Sequence, residues 1–124
     1  MKKGILFIEN SRFSPNPMIR TLIDQIHYLD EDYPICLMTE QQLQHRHFTN
    51  EVVLVDFSLS DQVDRWRSQL PDEVVMDIFD AAGYATMNGQ LILNQIQKLE
   101  LSLTVTLENL QAKRRRQWFA AIGK

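Results

Sequence analysis

The chain has one cysteine, Cys36, in 124 residues. A single thiol cannot close an internal disulfide, so packing must hold the fold, and the expected compartment is the reducing cytoplasm. No apolar run approaches the ~20 residues that a bilayer-crossing helix needs. Met1-Lys2-Lys3-Gly4 leads straight into a strand-like segment and has no signal-peptide pattern. The glycine signatures G-x-G-x-x-G and G-x-x-x-x-G-K-[ST] are missing, so neither phosphate-cradling loop is expected. There is no helix-turn-helix pattern either, and direct DNA binding by this chain alone is not expected.

What remains is an ordinary globular composition, 44% apolar with a mean hydropathy of -0.26, enough for one domain with a real core over residues 1–124. The net charge of -3 is unevenly spread. Residues 101–124 hold Glu108 against Lys113, Arg114, Arg115, Arg116 and Lys124, a balance of +4, which leaves -7 on the first 100. Such asymmetry points to an anionic partner for the tail or to a neighbouring acidic surface.

The strongest local signal is Val52-Val53-Leu54-Val55-Asp56. Consecutive aliphatic residues read as a strand buried on both faces, the mark of a parallel sheet. In open α/β sheets ligands and reactive groups gather at the carboxyl ends of the strands, which is where Asp56 falls. A similar run, Gly4 to Ile8, closes at Glu9-Asn10 and reads as the first strand. Asn16 is set to cap a helix with Pro17 in its first turn, and Met18, Ile19, Leu22, Ile23, Ile26 and Leu29 recur at helical spacing up to the acidic turn Asp30-Glu31-Asp32. Tyr33 to Met38 reads as the second strand, with Cys36 buried in it, and Thr39 caps a short helix from Gln41 to His45.

The third strand is 51–56, followed by a helix from Asp61 to Leu70 with Val63 and Trp66 on its inner face and Pro71 as its stop. Val74 to Phe79 is the fourth strand. Leu91, Ile92, Ile96 and Leu99 mark a helix opening near Asn88-Gly89. Leu101, Leu103, Val105 and Leu107 alternate with period two and define a fifth strand. Glu108 to Ile122 then closes the chain as a helix with Leu110, Trp118, Phe119 and Ile122 apolar, and Gly123 sits where a helix-ending glycine would. The pattern predicts a doubly wound, five-stranded parallel α/β sheet in three layers.

Ile5-Leu6-Phe7-Ile8-Glu9-Asn10 and Val52 to Asp61 resemble the first strand and the third strand with its phosphoacceptor loop in response-regulator receiver domains, particularly those of LuxR-type regulators. The element order and length extend the resemblance over the whole chain. It implies a (βα)5 flavodoxin-like fold in a bacterial signalling protein, an aspartate phosphorylated at Asp56 and Mg²⁺ held by neighbouring acids. Glu9 matches the first of those acids, whereas Asn10 stands at the second. The family's hydroxyl after strand four has no match, since that strand ends in Asp80 and Thr86 lies further on. Its lysine after strand five is replaced by Leu107 and Glu108, with Lys98 and Lys113 displaced onto helices. Glu9, Asn10 and Asp56 are therefore expected to form the vestige of a phosphoacceptor pocket, at most a weak Mg²⁺ site, in a non-catalytic pseudo-receiver.

Two further motifs bear on function. His45-Arg46-His47 places its imidazoles on different helix faces with no acidic or thiol cluster to complete a ligand set, and a surface loop is expected. Ser11 to Asn16 lacks the glycine that would let it wrap an FMN phosphate. Lys113-Arg114-Arg115-Arg116 with Trp118 has two readings. One is a solvated helix face with Trp118 and Phe119 in the core. The other is an anion or nucleotide site, loosely similar to the aromatic-and-arginine motif with which some degenerate LuxR-type receivers bind cyclic di-GMP.

The leading expectation is a signalling or transcription-regulating domain, adaptor or input module, working through protein–protein contact or homodimerisation over about residues 88–122. Cyclic-dinucleotide sensing by Arg114, Arg115, Arg116 and Trp118 is the first alternative, and a working phosphoacceptor at Asp56 the second.

Overall fold

The computed structural model describes residues 4–43 and 52–122, with side chains as far as Trp118 in the last helix. Its elements run β1 (Ile5–Glu9), α1 (Pro17–Leu29), β2 (Ile35–Thr39), α2 (Glu40–Leu43), β3 (Val52–Val55), α3 (Ser60–Arg67), β4 (Val75–Ile78), α4 (Ala81–Ala85) and α5 (Gly89–Ile122), with single 3₁₀ turns after β1 and β3. The strands form one parallel sheet in the order β2-β1-β3-β4.

Alternation along the strands explains why their sequences are aliphatic throughout. Ile5, Phe7, Val52 and Leu54 face Ile19, Leu22 and Ile26 of α1 and Ile92, Leu93 and Ile96 of α5. Leu6, Ile8, Val53 and Val55 face the other way, onto Leu43, Leu59 and Val63, with Trp66 packed at the margin. Both faces are dry, so the molecule has helices above and below its sheet. Asn16 caps α1 as expected, its side chain accepting from the Met18 N–H with Pro17 following, and Asp30 ends the helix.

The fifth strand is not there. Residues 101–107 belong to α5, a 34-residue helix, so the alternation that suggested a strand was misleading. Ile92, Ile96, Leu99 and Leu103 carry one helical stripe through that segment, with Leu103 at 2% exposure, while Leu101 and Val105 point away at 67% and 48%. No glycine or proline interrupts residues 90–122, and a nucleated helix propagates cheaply. Thr104 and Thr106 donate their hydroxyls to the carbonyls of Glu100 and Ser102, so both hydroxyls are satisfied within the helix.

Without a fifth strand, the outer edge of β4 is closed by side chains. Arg67 Nε donates to the Met76 carbonyl (2.9 Å) and Gln95 Nε2 to that of Ile78 (2.7 Å). Asp77 accepts from the Ile78 N–H and Gln95 from the Asp80 N–H, both at 2.8 Å. The edge keeps few free backbone groups for another strand.

Two further expectations change. Cys36 lies in β2 but is exposed, because β2 is an edge strand flanked by the single turn of α2. Trp118 is 60% exposed, not part of the core. His45-Arg46-His47 and Gly123 lie outside the described residues. Among the described residues no helix is long and apolar enough to cross a membrane.

Candidate functional site

The carboxyl ends of β1 and β3 bring Glu9 and Asp56 to the same edge of the sheet, at 3% and 6% exposure, the two acids among the buried polar residues. A buried carboxylate is costly unless hydrogen bonds and charge replace its water. Glu9 is fully provided for. Ser14 Oγ donates to Oε1 (2.7 Å) and the Asn16 backbone N–H to Oε2 (3.0 Å). Arg20, one turn into α1, reaches both oxygens at 3.0 and 3.3 Å. Burial pushes the Glu9 carboxyl up, but the hydrogen bonds from Arg20, the Asn16 N–H and Ser14, with the Arg20 charge, outweigh it and hold the carboxyl below its usual value.

Asp56 accepts from the Ser58 N–H (3.2 Å), closing the turn after β3, and from Asn16 Nδ2 (3.2 Å). The same amide nitrogen donates to the Tyr84 hydroxyl at 3.1 Å. Asn16 is thus the centre of the site: its Oδ1 caps α1 while its Nδ2 ties β3 to α4. The Tyr84 ring packs edge-on to Phe57, centroids 5.5 Å apart. Burial raises the Tyr84 phenol above its ordinary range, the Asn16 bond lowers it, and the nearby Asp56 charge raises it again.

Asn10 does not point at the acids. Its Oδ1 accepts from the Arg12 N–H (2.9 Å) and its Nδ2 donates to Ser58 Oγ (3.1 Å), bridging the loops after β1 and β3. Ser11 holds Glu40 through its backbone N–H (2.7 Å) and through its hydroxyl. Asp80 caps α4 by accepting from the Gly83 N–H, and Thr86 commits its hydroxyl to the Ala82 carbonyl. Residues 101–107, where strand five and its lysine were expected, are helical.

These residues do not fit a magnesium ion. A hard cation needs several free oxygens. The Glu9 oxygens are taken by Ser14, Asn16 and Arg20, and Asn10 is engaged elsewhere. Among the described residues no group of three acidic, histidine or cysteine side chains is placed to hold a metal. The guanidinium of Arg20 supplies the positive charge that Glu9 requires.

Sequence reasoning found Glu9 and Asp56 but assigned Asn16 only to a cap and missed Arg20 and Tyr84. Arg20 was recoverable: in a βα unit the first turn of the helix lies beside the end of the preceding strand, within reach of a buried acid there. Tyr84 carries no such signal. Arg114, Arg115, Arg116 and Trp118 are exposed on the far half of α5, remote in sequence and contact from the acids.

The fold and site define the chain as an α/β protein with a parallel four-stranded sheet and a saturated acidic pocket at its carboxyl edge. In comparisons with known proteins, no protein-family model matches the chain and no curated protein matches it.

Proposed function

We propose that this is a receiver-like regulatory domain that works by contact with a protein partner and does not pass through a phosphoaspartate. The observation that carries the reading is the closure of Glu9 by Arg20, Ser14 and the Asn16 N–H. Phosphoryl transfer to a carboxylate depends on a metal and positive donors aimed at the phosphoryl oxygens. Here the acid that would hold the metal holds a guanidinium, and Asn16 and the Phe57–Tyr84 pair crowd Asp56. The strand order β2-β1-β3-β4 is the flavodoxin-like order with its last strand left off, which supports descent of the fold from that class.

The test is mass spectrometry after incubation with Mg²⁺ and acetyl phosphate, alongside beryllofluoride titration followed by tryptophan fluorescence. Neither a mass shift nor a fluorescence change is expected. An 80-Da-class addition (about one phosphoryl group) that disappears in Asp56→Asn would overturn the reading.

One observation favours a second reading. Arg114, Arg115, Arg116 and Trp118 are all exposed on one helix, a combination of guanidinium and aromatic surface of the kind that contacts nucleotides. Isothermal titration with cyclic di-GMP decides it: no heat at high micromolar ligand removes this alternative.

A further inference from the structure

We infer that α5 is the interface through which two copies of this chain associate, as an antiparallel helix pair centred on Leu103. This names a partner for the contact-based reading and rests on it.

The helix is far longer than the fold it serves: its 34 residues extend about 50 Å at ~1.5 Å per residue, whereas strands of this length span about 17 Å. Its inner stripe ends in the core at Leu103, and from Thr104 to Trp118 every residue is exposed or half-buried. The opposite face carries a second stripe, Asn94, Lys98, Leu101, Val105, Glu108 and Ala112, stepping alternately by four and three as helix-pairing seams do. All six are exposed. Leu101 and Val105 stand at its centre at 67% and 48% exposure, one turn apart. Lys98 and Glu108 flank them, and neither has an ion-pair partner among the described residues.

An antiparallel pair about Leu103 matches residues equidistant from that position. Leu101 then meets the partner's Val105, and Lys98 meets the partner's Glu108, each twice by symmetry. The same register carries the partner's Arg114 to Trp118 alongside residues 88–92. There Asp24, Tyr28 and Leu29 of α1 and Asn88, Gly89 and Gln90 line a groove of about 570 Å³, with Tyr28 at 91% and Leu29 at 46% exposure. The partner's Arg115 and Arg116, the members of that segment nearest the seam, thus approach an aspartate and a tyrosine, while Arg114 and Trp118 continue the outward-facing Leu103 stripe. A parallel pair sets Lys98 against Lys98 and one arginine run against the other, so charge selects the antiparallel arrangement. The core-packed faces of both helices point outward, which keeps the two sheets clear of one another.

Sedimentation velocity from about 5 to 200 µM, the range of moderate homodimers, is expected to give a concentration-dependent dimer. Leu101→Asp, at an exposed site, should keep the circular dichroism and the melting point while weakening the dimer at least tenfold. Lys98→Glu and Glu108→Lys each reverse two ion pairs and should weaken it by roughly tenfold. The double variant K98E/E108K should recover the wild-type constant, a rescue that only this register provides. With Cys36→Ser as background, mixing Leu101→Cys with Val105→Cys chains should give the mixed disulfide in preference to either homodisulfide. A monomer throughout the range overturns the inference, as does a dimer indifferent to Leu101→Asp or a double variant with no rescue. A phosphoryl adduct at Asp56 would instead overturn the contact-based reading, so the two failures are distinguishable.

Discussion

Glu9 and Arg20 set the chemistry of the sheet edge, and each residue's effect has a direction. Arg20→Ala leaves a buried carboxylate with Ser14 and one backbone N–H. Because Arg20 is 44% exposed and partly screened, the expected loss is about 1–2 kcal/mol in urea unfolding. Since Glu9 is held below its usual 4.5, its contribution is complete above that value and is lost as pH falls through the lower folded value. Wild-type stability should therefore fall more steeply than that of Arg20→Ala on acidification from about pH 6 to about pH 3; parallel curves would remove the assignment. Tyr84 works in the opposite sense. Its raised phenol favours the folded state below the ordinary tyrosine range and loses that advantage in strong alkali, so absorbance titration should show late-ionising tyrosine, and Tyr84→Phe should reduce that late component. Glu9 and Asp56 were legible in the sequence because an aliphatic strand ending in an acid is a local pattern. Arg20, Asn16 and Tyr84 were less so, since their partners come from three separated segments.

At the scale of elements, α5 is where local pattern and structure part. The alternation of Leu101, Leu103, Val105 and Leu107 fits a strand with one apolar face, but the longer stripe from Ile92 to Leu103 fits a helix, and the helix prevails. The distinction is measurable. Leu103→Ala removes a side chain at 2% exposure and should cost about 2–4 kcal/mol, whereas Val105→Ala, measured in dilute monomer, should stay within about 0.5 kcal/mol. Equal losses would restore the strand. The start of α5 is fixed just as specifically. Gly89 donates its N–H to Gln25 Oε1, and a Cβ there would lie 2.6 Å from Gln25 Cβ. Gly89→Ala should therefore push α1 and α5 apart and destabilise by about 1–3 kcal/mol. The four strands and the helices capped by Asn16 and Asn88 followed from their sequences, because runs buried on both faces and side-chain caps are local in origin; α4 did not, since the segment around Gly83 reads as a loop and forms a single short helix capped by Asp80.

For the whole molecule, the uneven charge of the sequence acquires a place. Lys113, Arg114, Arg115 and Arg116 of the +4 segment lie on the exposed half of a helix whose other half is anchored in the core. Hydrogen exchange should find amides of residues 92–103 protected with the sheet and those of 108–118 exchanging by fraying in dilute solution, with protection of the latter rising at high concentration as the helices pair. Sequence alone determined that the chain is an α/β protein with a parallel sheet, that β1 and β3 end in acids, and that its last segment is basic, since composition and short-range periodicity encode these. Only the tertiary structure decided that the sheet stops at β4, that Arg20 supplies the charge beside Glu9, and that Trp118 stands in solvent rather than in the core. Each of those turns on which distant segments compete for the same surface: α5 lies against α1, its Gln95 and Arg67 of α3 occupy the β4 edge where a fifth strand would pair, and from Thr104 to Trp118 the helix stays exposed or half-buried.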